Sequence, residues 1–292
     1  MADQAERLRE IMKENKTAAK PARVIAITSG KGGVGKTNFA VNLGIALSKL
    51  GAKVTLVDAD LGLANVDVVL GLVPQYNLGH VILGEKQISE VIVNGPSGLR
   101  VVTSGSGIYK LANLSEKNLE RCLEHLNEIE KSTDIMLVDT GAGLSRNVLK
   151  FVLAAGEVII VTTPEPTAIT DAYGVIKVIA GADKRTPIWV VVNMIHNEAE
   201  GNQSLERLVT VSQRFLGVAL TKIGFIPLDP VVSKAVKDQQ PFIISHPRSL
   251  ASLSIQQIAK DLLNGGSMGD TGNHLSFFER LIGKLRLSGV SE

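Results

Sequence analysis

The sequence predicts an α/β fold, a single doubly wound and mostly parallel sheet, on three observations. Apolar β-branched runs alternate along the chain with longer helical patterns. Several of those runs are continuously apolar, as strands covered on both faces by crossover helices must be. A glycine-rich loop joins the first run to the first helical pattern, where such folds bind their ligands.

The elements follow in order. Residues 1–21 form a polar leader, "MADQAERLREIMKENKTAAKP". Asp3 and Glu6 have capping-box-like spacing, and Ala5, Leu8, Ile11 and Met12 share one helical stripe. A helix this short is marginal alone in water, so it orders on a partner or folds against its own domain. The body, 22–264, opens with the strand "ARVIAIT" at 22–28. Further strands are expected at 53–58, 99–104, 134–139, 157–162, 187–193 and 221–227, each apolar and rich in β-branched residues. Helical patterns lie between them near 37–50, 115–131, 145–155, 168–180, 203–216 and 248–264. Residues 265–273, "GGSMGDTGN", hold four glycines in nine and read as a flexible linker. An amphipathic tail, 274–292, closes the chain.

Composition excludes several functional classes. Of the 292 residues 45% are hydrophobic and 21% charged, ordinary for a globular protein. No run approaches a membrane span, and the polar N-terminus lacks a signal-peptide core; a cytoplasmic location is expected. The single cysteine, Cys122 in "RCLEHL", rules out an internal disulfide and thiolate-built clusters, and reads as a small core residue. The five histidines are scattered, with no i,i+4 pair to hold a metal. Net charge is +2, but the segment 24–273 stands at −1, so no direct nucleic-acid partner is expected.

The loop Gly30-Lys31-Gly32-Gly33-Val34-Gly35-Lys36-Thr37 matches G-x-x-x-x-G-K-[ST] between an apolar strand and the helical "TNFAVNLGIALSKL". Backbone N–H groups of such a loop converge on phosphates at a helix N-terminus, beside Asn38. Lys36 is expected to reach the β- and γ-phosphates of ATP and Thr37 to ligate Mg²⁺. Asp58 and Asp60 end the second strand two residues apart, on one side of the extended chain. Asp139 ends the apolar "DIMLVD", before Gly141 and Gly143. Asn193 closes "WVVVN", and its amide has the donor and acceptor needed to read an adenine edge. Asp229-Pro230 reads as a helix N-cap followed by proline at the first helical position.

The second lysine, Lys31 in "KGGVGKT", resembles the deviant Walker motif of the MinD/ParA family of dimerising ATPases. That resemblance implies a P-loop ATPase whose Lys31 reaches across a dimer interface to the partner's phosphates, acting like an arginine finger. It implies that Asp60 positions the attacking water, with Asp58 on the Mg²⁺ side and Asn65 and Asp67 in the same switch. Asp139 would hold a Mg²⁺-bound water. Asn193 would contact adenine, flanked by Pro227 and by Asp229, whose capping role is the other reading. "VTTPEPTAITDAY" narrows the resemblance: Glu165 would touch nucleotide across the dimer, with Asp171 on the same interface. Together with "DQAERLR" this is similar to the FlhG (YlxH) branch, the MinD-like ATPases that set flagellar number and position. The branch implies a homodimer with ATP, flagellar switch-complex (C-ring) partners, and stimulation of an FlhF-type GTPase through Asp3, Gln4, Arg7 and Leu8. A septum-placing MinD or a partition ATPase of ParA type is the alternative. A transfer enzyme would need a further nucleophile or ligand set, and none is found.

The tail "HLSFFERLIGKLRL" places Leu275, Phe278, Leu281, Ile282 and Leu285 within an arc of about 120°, with Phe277 off the stripe. It resembles the membrane-targeting tail of MinD, which implies peripheral binding to the inner face of the cell membrane in the ATP state. The alternative is a terminal helix docked on its own core.

Overall fold

A computed structural model describes residues 22–60, 65–103, 116–265 and 275–286, with the backbone alone for 116–122 and 286. The leader, with Asp3, Gln4, Arg7 and Leu8, which are expected to meet a partner, lies outside the described residues, as does the side chain of Cys122. Among the described residues the strands are β1 (Arg23–Ser29), β2 (Val54–Ala59), β3 (Ile92–Asn94), β4 (Arg100–Thr103), β5 (Ile135–Ala142), β6 (Glu157–Thr162), β7 (Ile188–Ile195) and β8 (Thr221–Pro227). They form one sheet in the order β3-β4-β2-β5-β1-β6-β7-β8. Every pairing is parallel except that of the edge strand β3 with β4. The doubly wound, mostly parallel sheet is therefore as expected. β3 escaped the sequence reading because three partly exposed residues carry no usable periodicity.

The helices are α1 (Lys36–Lys49), α2 (Val66–Leu70), α3 (Leu78–Ile82), α4 (Ile88–Val91), α5 (Glu116–Lys131), α6 (Arg146–Ala154), α7 (Pro166–Ala182), α8 (Glu198–Leu216), α9 (Pro230–Lys237), α10 (Phe242–Ser245), α11 (Leu250–Asn264) and α12 (Phe277–Arg286). Period-two alternation sorts the core into two clusters. Ile25 and Ile27 of β1 face the cluster built by α1, α2, α9, α10 and α11, whereas Val24 and Ala26 face that of the remaining helices. Burial on both faces explains why the central strands read as unbroken apolar runs.

The edge of the sheet remote from the glycine-rich loop is tied by a buried ion network. Arg23 makes two 2.7 Å bonds to the Glu157 carboxylate and donates to the Leu262 carbonyl, while Trp189 Nε1 donates to Glu157 at 3.1 Å. The start of the body and the end of α11 thus meet at this edge.

Helix α12 lies against α5 and α6, and its apolar stripe is covered: Phe278, Leu281, Ile282 and Leu285 are all buried in the core cluster. Two details of the stripe need correction. Phe277, read as off it, is fully buried and packs edge-on against Phe278 with ring centroids 5.1 Å apart. Leu275, read as on it, is exposed, because the helix begins only at Phe277. Ser276 and Glu279 form a reciprocal capping box, at 3.1 and 2.7 Å. The buried Glu130 carboxylate of α5 accepts the Phe278 N–H, and Arg280 donates to the Ala154 carbonyl at the end of α6.

Candidate nucleotide site

The loop after β1 takes its shape from positions where only glycine fits. A Cβ on Gly30 would stand 2.2 Å from the Asp171 carbonyl carbon of α7. Gly33 and Gly35 have φ of +81° and +85°, the left-handed region that favours glycine. Gly35 is also the N-cap of α1, and it offers no side-chain cap to the first-turn N–H groups. Those donors, at the positive end of a 14-residue helix, are available to an anion.

Behind the loop stands a buried polar centre. Lys36 Nζ lies 2.8 Å from Asp139 Oδ1, with side chains 8% and 1% exposed. Burial pushes the Asp139 carboxyl up, against the pull of the Lys36 ammonium and the nearby Thr37 hydroxyl. Asp139 Oδ2 is buried without a protein partner. An unpartnered carboxylate oxygen beside a threonine hydroxyl suits a hard cation and its water ligands, so Thr37 and Asp139 fit Mg²⁺.

Asp58, expected on the Mg²⁺ side, stands opposite Asp139 in the register of β2 with β5. It is buried at the end of β2 and accepts the backbone N–H groups of Asp60, Asn65 and Val66, at 3.0, 3.2 and 3.2 Å. Burial, and then the charge of Asp139, pushes its carboxyl up to about 6. Its bonds hold the two sides of the 61–64 segment together. Asp60 is half-buried and lies against Gly141, two residues beyond Asp139: a Cβ on Gly141 would stand 3.6 Å from its Oδ1. Gly143, at φ +89°, donates to the Ser29 carbonyl at 2.8 Å and ties the end of β5 to the end of β1.

Lys31 turns outward. Its Nζ lies 2.7 Å from Glu165 Oε2 and 3.2 Å from Thr167 Oγ1, at the start of α7 and in the same chain. Sequence reasoning brought Lys31 and Glu165 to one interface but missed Thr167, two residues further along the same helix start.

Beside the loop, Gly35, Asn38, Asn193, Met194, Pro227 and Asp229 line a pocket with the apolar Phe39 and Val232. Asn193 Nδ2 donates to the Val34 carbonyl at 2.8 Å. Asp229 caps α9 through the Val231 N–H at 3.0 Å, and its other oxygen accepts from Ala251 N–H at 3.3 Å. Met194, missed in the sequence, has a φ of +59°. A methionine carries no sequence signal for that conformation.

The family model described as ParA, NUBPL iron-transfer P-loop NTPase, matches residues 20–263. The chain is 44% identical to Antiactivator FleN of Pseudomonas aeruginosa, over 90% of this chain and 94% of that one. It is 37% identical to the flagellum site-determining protein YlxH of Helicobacter pylori, over 89% and 90%. Among solved structures it is similar to the septum site-determining protein MinD of Pyrococcus horikoshii complexed with Mg-ADP, at a TM-score of 0.65 and 26% identity, covering 85% of this chain and 99% of that one. No helix among the described residues is long and apolar enough to cross a membrane. With its phosphate loop, buried Lys36–Asp139 centre and outward Lys31 on one sheet edge, the chain belongs to the ParA/MinD family of P-loop ATPases, in the group that holds FleN and YlxH.

Proposed function

We propose that this P-loop ATPase, with ATP and Mg²⁺ as its cofactors, is a dimerising switch that controls flagellar number and placement. The reading is carried by the division of labour between its two loop lysines. Lys36 is buried against Asp139, whereas Lys31 lies on Glu165 at the surface. A cation so placed is available to a second copy of the chain.

In this account the loop backbone and Lys36 hold the phosphates, while Thr37 and Asp139 hold Mg²⁺. Held there, Mg²⁺ would supply charge neutralisation for the phosphates. Asp60 orients the attacking water, and Asn193, with Pro227 beside it, contacts the base. Lys31 leaves Glu165 for the partner's phosphates, and Glu165 contacts the nucleotide held by that partner. Dimer formation frees α12 from its groove, so that Phe278, Leu281, Ile282 and Leu285 enter the cytoplasmic face of the membrane. The leader stimulates an FlhF-type GTPase, and the body engages flagellar switch-complex proteins.

A relative at 37% identity is named a flagellum site-determining protein, which supports the flagellar reading over a septal one. Iron transfer does not carry over to a chain with one cysteine. Replacing the chromosomal gene by its Lys36→Ala form should change the number of flagella per cell, counted by electron microscopy. An unchanged count contradicts the proposal. Deleting residues 1–20 should spare ATP hydrolysis and abolish GTPase stimulation; surviving stimulation places the activator elsewhere.

A further inference from the structure

Asn193 ends β7, yet both ends of its side-chain amide are bonded to backbone. Nδ2 donates to the Val34 carbonyl of the phosphate loop at 2.8 Å, and Oδ1 accepts the Met194 N–H at 2.9 Å. A residue that only read a base would keep these groups turned toward the pocket. Here one N–H and one lone pair remain for a ligand.

The surroundings hold this arrangement tightly. Asn193 is 8% exposed. A Cβ on Gly35 would stand 2.4 Å from Nδ2, so the loop presses on the amide. Met194 keeps a left-handed φ of +59°, and the pairing of β7 with β8 shifts register between Asn193 and Ile195. Strained backbone of this kind persists only where its surroundings over-determine it.

The Val34 carbonyl and the Gly35 N–H belong to one planar trans peptide, so they point in opposite directions. Drawing the carbonyl toward Asn193 turns the N–H away from the base pocket. In the sheet β5 and β7 lie on opposite sides of β1, so the N–H turns toward the side of Lys36 and Asp139. We propose that Asn193 is a positioning residue for the phosphate loop, its amide setting the Val34–Gly35 peptide so that the Gly35 N–H faces the phosphates. The inference rests on the nucleotide-site reading and adds to it a coupling between base pocket and phosphate cradle.

The test uses a probe without a base. Calorimetric titration of the full chain with ADP, GDP and inorganic tripolyphosphate, each with Mg²⁺, compares wild type with Asn193→Ala and Asn193→Asp. The aspartate keeps the shape and the bond from Met194 N–H but sets a carboxylate against the Val34 carbonyl. Tripolyphosphate affinity should fall about tenfold or more in both variants, by a factor similar to that for ADP. Amide exchange of residues 33–37 in nucleotide-free Asn193→Ala should quicken while the melting temperature is kept, a readout independent of probe affinity. Unchanged exchange, with unchanged tripolyphosphate affinity and an altered ADP-to-GDP ratio, overturns the inference and leaves Asn193 as a base reader. Failure of the wild type to bind ADP would instead overturn the nucleotide site itself.

Discussion

Lys36 Nζ lies 2.8 Å from Asp139 Oδ1, and both side chains are almost wholly buried. The lysine proposed to bind phosphate is thus held by the carboxylate that fits Mg²⁺. Removing either partner leaves a buried charge unpaired, so Lys36→Ala and Asp139→Ala should each destabilise the nucleotide-free protein by about 3 kcal/mol. Lys36→Ala should also bind no nucleotide. The double variant should recover most of the lost stability in urea unfolding. Additive losses would show that the two charges do not compensate one another.

Asp60 lies against Gly141, two residues beyond Asp139, and is read as the residue that positions the attacking water. Asp60→Ala should therefore bind ATP normally and hydrolyse it about a hundredfold more slowly or worse. Equilibrium binding and steady-state phosphate release measure the two effects separately. Unchanged turnover removes Asp60 from the reaction.

The apolar stripe of α12 cannot touch a membrane while it is buried on α5 and α6. Wild-type protein should pellet with liposomes in ATP and much less in ADP, since two freed tails bind with avidity that one lacks. Phe278→Glu should stay in the supernatant with either nucleotide. Equal pelleting in ATP and ADP would separate location from the switch.

Docking of α12 should also depend on pH. Burial pushes the Glu130 carboxyl above its ordinary 4.5, against the N–H groups of Phe278 and Phe277 and the charge of Arg280, while Glu279 adds to the rise. Because the docked state holds its proton more tightly, the stabilisation is complete below about 4.5 and is lost as pH rises through the raised value. Exchange protection of residues 277–286, corrected for intrinsic rate, should grow as pH falls from about 7 toward 5. Glu130→Gln should flatten that dependence; a variant that keeps it would place the titrating group elsewhere.

Much of this was legible in residues with one dominant signal. Apolar, β-branched runs marked seven of the strands, and the spacing of Gly30, Gly35, Lys36 and Thr37 marked the loop. Other features depend on where long-range packing brings a side chain. Asp58 ends a strand beside Asp60, yet three backbone donors and burial give it a different environment. The tail's stripe is equally suited to a membrane or to a groove, and only the presence of α5 and α6 decides which covers it. Ser276 and Glu279, a capping box at the ordinary spacing, would have fixed where the helix starts and so the exposure of Leu275.

The central claim is that Lys31 couples bound ATP to pairing with a second copy of the chain. Light scattering after size-exclusion chromatography tests it most directly, with ADP, with ATP, and with ATP on Lys31→Ala, each in the hydrolysis-slowed Asp60→Ala background. The account predicts a monomer in ADP, a doubled mass in ATP, and a monomer that still binds ATP when Lys31 is removed. A dimer in ATP without Lys31, or a monomer in all three conditions, would contradict it.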